Sequence, residues 1–127
     1  MEDGDVRDNM VTFMASIFRS VRFGASSAHG KANMVRFNYF NDMGAFVRDG
    51  ATGTYLVDFE RMHEAVAALA EEILTVQGNG DYEAAARLIS EKGVIGTVLQ
   101  ADLDRLKSLG IPVDIVFEQG LSVLEGE

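Results

Sequence analysis

Twelve residues, Phe23-Gly24-Ala25-Ser26-Ser27-Ala28-His29-Gly30-Lys31-Ala32-Asn33-Met34, constrain this chain more than any other stretch. They sit within a helical pattern, are dominated by small side chains and hold one of the two histidines. A glycine in a helix interior costs about 1 kcal/mol against alanine, and Gly24 and Gly30 stand on either side of that histidine. Small residues at Gly24, Ala28 and Ala32 recur every four positions. On a continuous helix they form a flat ridge that another backbone can approach closely. The spacing predicts a place where close approach outweighs local stability. Two roles stand open for His29: a buried, hydrogen-bonded histidine in a tight helix crossing, or a side chain with chemistry to perform.

Apolar periodicity sets the elements around this run. Met10, Phe13, Met14, Ile17, Phe18 and Val21 trace one stripe of an amphipathic helix over about Val6–Phe23. A second helix is predicted from about Ser26 to Asp42, with Gly44 placed for a left-handed cap. His29, Asn33, Arg36 and Phe40 fall on one side of it. Ala45–Arg48 and Tyr55–Val57 flank the glycine-containing stretch Asp49–Thr54 and read as a small hairpin. Gly50 and Gly53 are not a phosphate loop, because no Gly-Lys-Ser/Thr ending follows. Asp58 is placed to cap the next helix. Phe59, Met62, Val66, Leu69, Ile73 and Val76 make a narrow seam on it, predicting lengthwise packing on a neighbour. Gly78-Asn79-Gly80 ends that helix. Asp81 caps a short one running to about Lys92, closed by Gly93. Thr97 with Gln100 is a candidate capping box for a last helix through Leu109. Ile111–Phe117 reads as extended, and the tail from Glu118 as mobile. The fold class expected is mainly α: about five helices in a bundle-like packing with one small β-hairpin near residues 45–57. A chain of 127 residues is enough for one domain with its own core.

Charge and composition remove several functions. The formal net charge is −9 and the Lys and Arg residues are scattered, which argues against a nucleic-acid partner. There is no cysteine, hence no disulfide framework and no thiolate metal site. No apolar run approaches the roughly 20 residues of a membrane span, and no signal peptide is recognised, so a cytoplasmic location is expected. Eight phenylalanines and six methionines are many for this length, and apolar residues crowd positions 10 to 46. That surplus predicts a face made to be covered, and self-association of the isolated chain.

Few residues offer chemistry. His63-Glu64 resembles the start of a zinc helix, but the second histidine such a site needs is absent: the relevant positions are Ala67 and Ala68. No metal ligands are therefore expected in this chain. Glu71, Glu72, Asp81 and Glu83 read as a solvated helix surface. Asp102 and Asp104 are two apart and point different ways on a helix. Ser26 and Ser27 lack a nucleophile elbow.

Several stretches together resemble the C-terminal part of the dipeptidyl peptidase III family of zinc metallopeptidases. The likeness is to the plant and bacterial branch in which that part can be fused to a Nudix domain. The matching residues are Phe18–Gly24, Ala28-His29-Gly30-Lys31, Arg36-Phe37-Asn38-Tyr39, Tyr55–Phe59, Glu72–Gln77, Gly80-Asp81-Tyr82-Glu83 and Ile111–Ile115. Their order and spacing cover roughly residues 13 to 116. The resemblance implies that zinc and its general base lie upstream, outside this chain, and that zinc is a cofactor of the intact enzyme only. It implies that His29 is the substrate-side histidine that helps hold the developing oxyanion. Asn33 stands where many members carry a substrate-holding arginine, and the arginine classical members carry near the C-terminus has no counterpart in Gly120–Glu127. Lys31, Asn33 and Arg36 are the further candidates for substrate contact.

The resulting expectation is a single helical unit, residues 1–127, forming the C-terminal fragment of a larger zinc hydrolase and inactive alone. Its partners would be the upstream zinc-bearing part and a peptide or amide substrate. The alternative is a stand-alone acidic helical module that dimerises through the residue 10 to 46 face.

Overall fold

The computed structural model describes residues 3–111. Its order is α1 (Asp3–Val21), α2 (Ala28–Asp42), β1 (Phe46–Arg48), β2 (Tyr55–Val57), α3 (Phe59–Asn79), α4 (Tyr82–Lys92) and α5 (Thr97–Ser108). Five helices and one antiparallel hairpin match the fold class read from the sequence. Beyond Ile111, the predicted extended stretch and the tail from Glu118 lie outside the described residues.

α2 is the central element, packing against α1, α3, α4 and β1. Met14, Ile17 and Val21 of α1 are buried against Met34, Phe37 and Phe40 of α2. Phe46 of β1 completes this core, and Met62, Ala65, Leu69, Leu99 and Leu103 close it from α3 and α5. Aromatic rings meet edge to face at its margin: Phe18–Tyr55 centroids are 4.6 Å apart and Phe18–Phe37 are 5.3 Å apart. Much of the apolar surplus between residues 10 and 46 is thus interior, covered by the fold's own elements. Val11 (45% exposed), Phe13 (36%) and Phe23 (58%) remain outside.

The caps show why the helices end where they do. Asp58 accepts from the Arg61 amide at 3.1 Å and Asp81 from the Ala84 amide at 2.9 Å. Gly44 and Gly80 take the left-handed conformation the sequence anticipates, each followed by a six-to-one bond: Ala45 N–H to the Phe40 carbonyl, Asp81 N–H to that of Val76.

Two expectations change. The box at Thr97 and Gln100 does not form. Gly96 is the N-cap, with no side-chain cap bond, and the Gln100 amide donates to Asp104 at 2.9 Å. The α3 seam packs only in part: Met62 and Leu69 are buried, Val66 and Ile73 are 46% and 39% exposed, and no residue from Ala70 to Asn79 is buried. The helix runs past the core, so Ile73 and Leu74 stay exposed while Val76 is half-buried.

Candidate functional site

His29 lies in the first turn of α2, and backbone interactions fix that turn. The Ser27 hydroxyl accepts from the Gly30 amide at 3.0 Å, and the Ser27 carbonyl accepts from the Lys31 amide at 2.9 Å. Ser27 therefore serves as the N-cap. Just before it, Gly24 sits at φ +90°, in the left-handed region. This breaks the helix between α1 and α2, so Gly24 is not part of a helical ridge with Ala28 and Ala32, both of which are exposed. Close approach is real but involves a different pair. Gly30 is buried, and a Cβ there would run into the Gly24 carbonyl oxygen. The preceding loop, rather than a crossing helix, lies against it.

His29 itself is exposed, which removes the buried-histidine reading. No hydrogen bond, ion pair or ring contact engages its imidazole among the described residues. A helix N-terminus carries partial positive charge and favours a negative charge brought to it. An imidazole there can donate a hydrogen bond to an oxyanion on a bound carbonyl compound.

The other candidates divide by helix geometry. At about 100° per residue, Asn33 and Arg36 share the His29 stripe, and Lys31 lies about 200° round from it. Asn33 is half-buried and its Oδ1 accepts from the Arg36 guanidinium at 3.2 Å. The structure thus groups His29, Asn33 and Arg36 on one face and places the exposed Lys31 on another. Near the far end of α2, burial first and then the charges of Glu72 and Glu71 push the Tyr39 hydroxyl above its usual range.

The sequence reading did not single out the main buried polar cluster. Phe46 pairs with Val57 and Arg48 with Tyr55 across the hairpin, so Arg48 and Tyr55 share the inner face with Phe46. Both reach Asp102 of α5. Arg48 donates to its two oxygens at 2.8 and 2.9 Å, and the Tyr55 hydroxyl donates at 2.7 Å. Asp102 is 6% exposed, the buried charged residue among those described. The Arg48 bond and then the Tyr55 bond hold its carboxyl at about 2, outweighing burial, which acts the other way. Burial, with Asp102 as a negative neighbour, lifts Tyr55 to about 12. A signal existed in the sequence: Asp102 falls on the Leu99, Leu103, Leu106 face of its helix, and Arg48 alternates with Phe46. Charges on two core faces call for each other. Every oxygen of this cluster is engaged structurally, which makes it a brace between hairpin and α5 rather than a reactive pair.

Among the described residues no group of three His, Cys, Asp or Glu side chains could hold a metal ion. They do not fit a zinc site, and His63 is an exposed residue on α3. No helix among them is long and apolar enough to cross a membrane.

Known proteins place this geometry. No family model matches the chain. Nudix hydrolase 3 of Arabidopsis thaliana is 43% identical over 110 residues, covering 87% of this chain and 14% of the plant protein. Dipeptidyl peptidase III from Caldithrix abyssi has the same fold at TM-score 0.76, with 42% identity, over 83% of this chain and 20% of that one. Dipeptidyl peptidase III from Corallococcus sp. strain EGB follows at TM-score 0.75 and 38% identity, over 90% of this chain and 20% of that one. The fold is therefore that of a peptidase-related segment. More particularly, the chain is similar to the C-terminal part of dipeptidyl peptidase III, and it spans a fifth or less of the length of these relatives.

Proposed function

We propose that this chain is the C-terminal helical part of a dipeptidyl-peptidase-III-like hydrolase and forms one wall of its substrate cleft. The observation that carries the reading is His29. It is an exposed imidazole on a helix turn fixed by Ser27, Gly24 and Gly30, in a chain about 40% identical to the two peptidase structures. His29 donates a hydrogen bond to the oxygen of the peptide or amide carbonyl under attack. Asn33 and Arg36, on the same stripe, hold neighbouring substrate groups; Lys31, on the other side of α2, is a lesser contact. Zinc belongs to the upstream part of the longer protein. The exposed apolar residues of α3 and α4, among them Leu74 (67% exposed) and Tyr82 (87%), supply contact area for that part.

The test is a chimera. This chain replaces the matching segment of the Corallococcus dipeptidyl peptidase III, and dipeptide release is measured. The chimera is expected to be active. His29→Ala within it is expected to lower kcat about 100-fold, the usual effect of losing one oxyanion donor. KM and zinc content should stay within about twofold by the same reasoning, since only the transition state loses a contact. A folded chimera without activity, or an active one indifferent to His29→Ala, would overturn the reading.

A further inference from the structure

One pocket shares no residue with the His29 turn. A cavity of about 440 Å³ opens between α1 and α5 beside the hairpin. Its walls are apolar, with Ala15 and Phe18 on one side and Leu106 on the other. Its polar end holds Tyr55, Asp102 and Arg105.

The charges at that end do not cancel. Asp102 takes hydrogen bonds from Arg48 and Tyr55 and pairs with Arg105 at 3.9 Å, so two cations share one carboxylate there. Its guanidinium is held in place. It donates to the Gly53 carbonyl at 3.2 Å and the Thr52 carbonyl at 3.5 Å. Gly53 lies so close that a Cβ there would stand 2.7 and 2.8 Å from the two terminal nitrogens. Those carbonyls are neutral, so they orient the cation without cancelling it. The side chain is 50% exposed, which leaves part of its N–H fork open. In a chain of net charge −9 this fixed cation at the end of an apolar cavity is a local exception.

We propose that this pocket binds a monocarboxylate with an apolar body. The carboxylate pairs with the Arg105 fork, and the body lies between Phe18 and Leu106. The volume falls in the usual range for small-ligand sites, and a charge-assisted Arg–carboxylate pair supplies the selectivity. A neutral molecule of the same length gains the apolar contact alone, and a cationic one meets Arg105 unfavourably.

Octanoate, 1-octanol and octylammonium titrated into the isotope-labelled full chain test this by amide NMR. Octanoate is expected to give saturable shifts at Ala15, Thr54 and Leu106, with octanol at least tenfold weaker and octylammonium silent. Arg105→Met should bring octanoate and octanol within twofold of each other, and Ala15→Phe, which fills the cavity, should abolish both. The octanoate-to-octanol ratio in the unmodified chain decides the matter even if a variant fails to fold. Equal binding of the two, no saturation, or shifts spread over α3 and α4 would overturn the proposal. So would a variant lacking residues 112–127 that binds octanoate tenfold more tightly, since the chain's own C-terminal residues would then be the occupant.

Discussion

Asp102→Asn keeps the shape of the side chain that joins α5 to the hairpin and removes its charge. Asn offers one acceptor oxygen where Asp102 offers two, and its amide group then faces a donor of Arg48 or Tyr55. Breaking a buried ion pair by removing one partner costs about 3–5 kcal/mol. The Arg48 side chain is 29% exposed and recovers some hydration, so a loss of about 2–3 kcal/mol at pH 7 is expected. A second route gives a comparable figure. The carboxyl titrates at about 2 in the fold against an ordinary 3.8. Because the folded value is depressed, its stabilisation is complete above the unfolded value and disappears as pH falls through the folded one. At 1.36 kcal/mol per unit this is about 2 kcal/mol, lost between roughly pH 5 and pH 2. Urea unfolding followed by helical circular dichroism, for both proteins at pH 7 and pH 2, measures it. Other carboxylates titrate equally in the two proteins, so the difference between them isolates Asp102. The gap should shrink by about 2 kcal/mol on acidification. A gap that is constant with pH, or below about 0.5 kcal/mol at pH 7 as for an ordinary surface change, would refute the brace.

Substitutions at three further positions probe the helices. Gly30→Ala should destabilise by about 1–3 kcal/mol in thermal melts despite alanine's better helix propensity, because the new Cβ meets the Gly24 carbonyl. An unchanged or raised midpoint would mean that the loop yields freely. Gly78→Ala should stabilise by about 0.5–1 kcal/mol, since Gly78 lies inside α3 with open space around it; a lowered midpoint would contradict the placement. Ser27→Ala should cost about 1 kcal/mol by removing the α2 cap, and Ser27→Asp should retain most of that stability, both read by urea unfolding; equal losses would argue against capping.

Local rules made much of the fold legible. The stripe through Met14, Ile17 and Val21 recorded α1, the cap residues Asp58 and Asp81 recorded the starts of α3 and α4, and Gly44 and Gly80 marked two helix ends. Each of these signals involves residues a few positions apart. The failures came where spacing alone had to stand for three-dimensional position. Gly24, Ala28 and Ala32 share a ridge only if the helix is continuous, and the left-handed Gly24 ends that continuity. The α3 seam is apolar along its length, but whether a neighbour extends that far is a matter of tertiary arrangement. Arg48 and Asp102 were readable singly as charges on apolar faces. Their pairing spans 54 positions, and only the hairpin register and the placement of α5 bring them together.

The same distinction explains how the candidate site is built. His29 has no side-chain partner among the described residues, so its position depends on the backbone beneath it. That backbone is held by the Ser27 cap and by the contact of Gly30 with the Gly24 carbonyl. On the proposed reading of His29, an imidazole that meets a substrate oxygen must keep its donors free, which excludes positioning it through its own hydrogen bonds. Rigidity therefore has to come from neighbours too small to compete for the ligand. On that reading the small-residue run has a physical purpose: glycine and serine fix the turn by close approach and capping, and leave His29 exposed. It follows that Gly30→Ala and Ser27→Ala, in an active chimera, should lower kcat through displacement of an intact His29. A fall in turnover with those variants, at temperatures where both remain folded, would separate positioning from stability. Full turnover would show that the turn can move without consequence for chemistry.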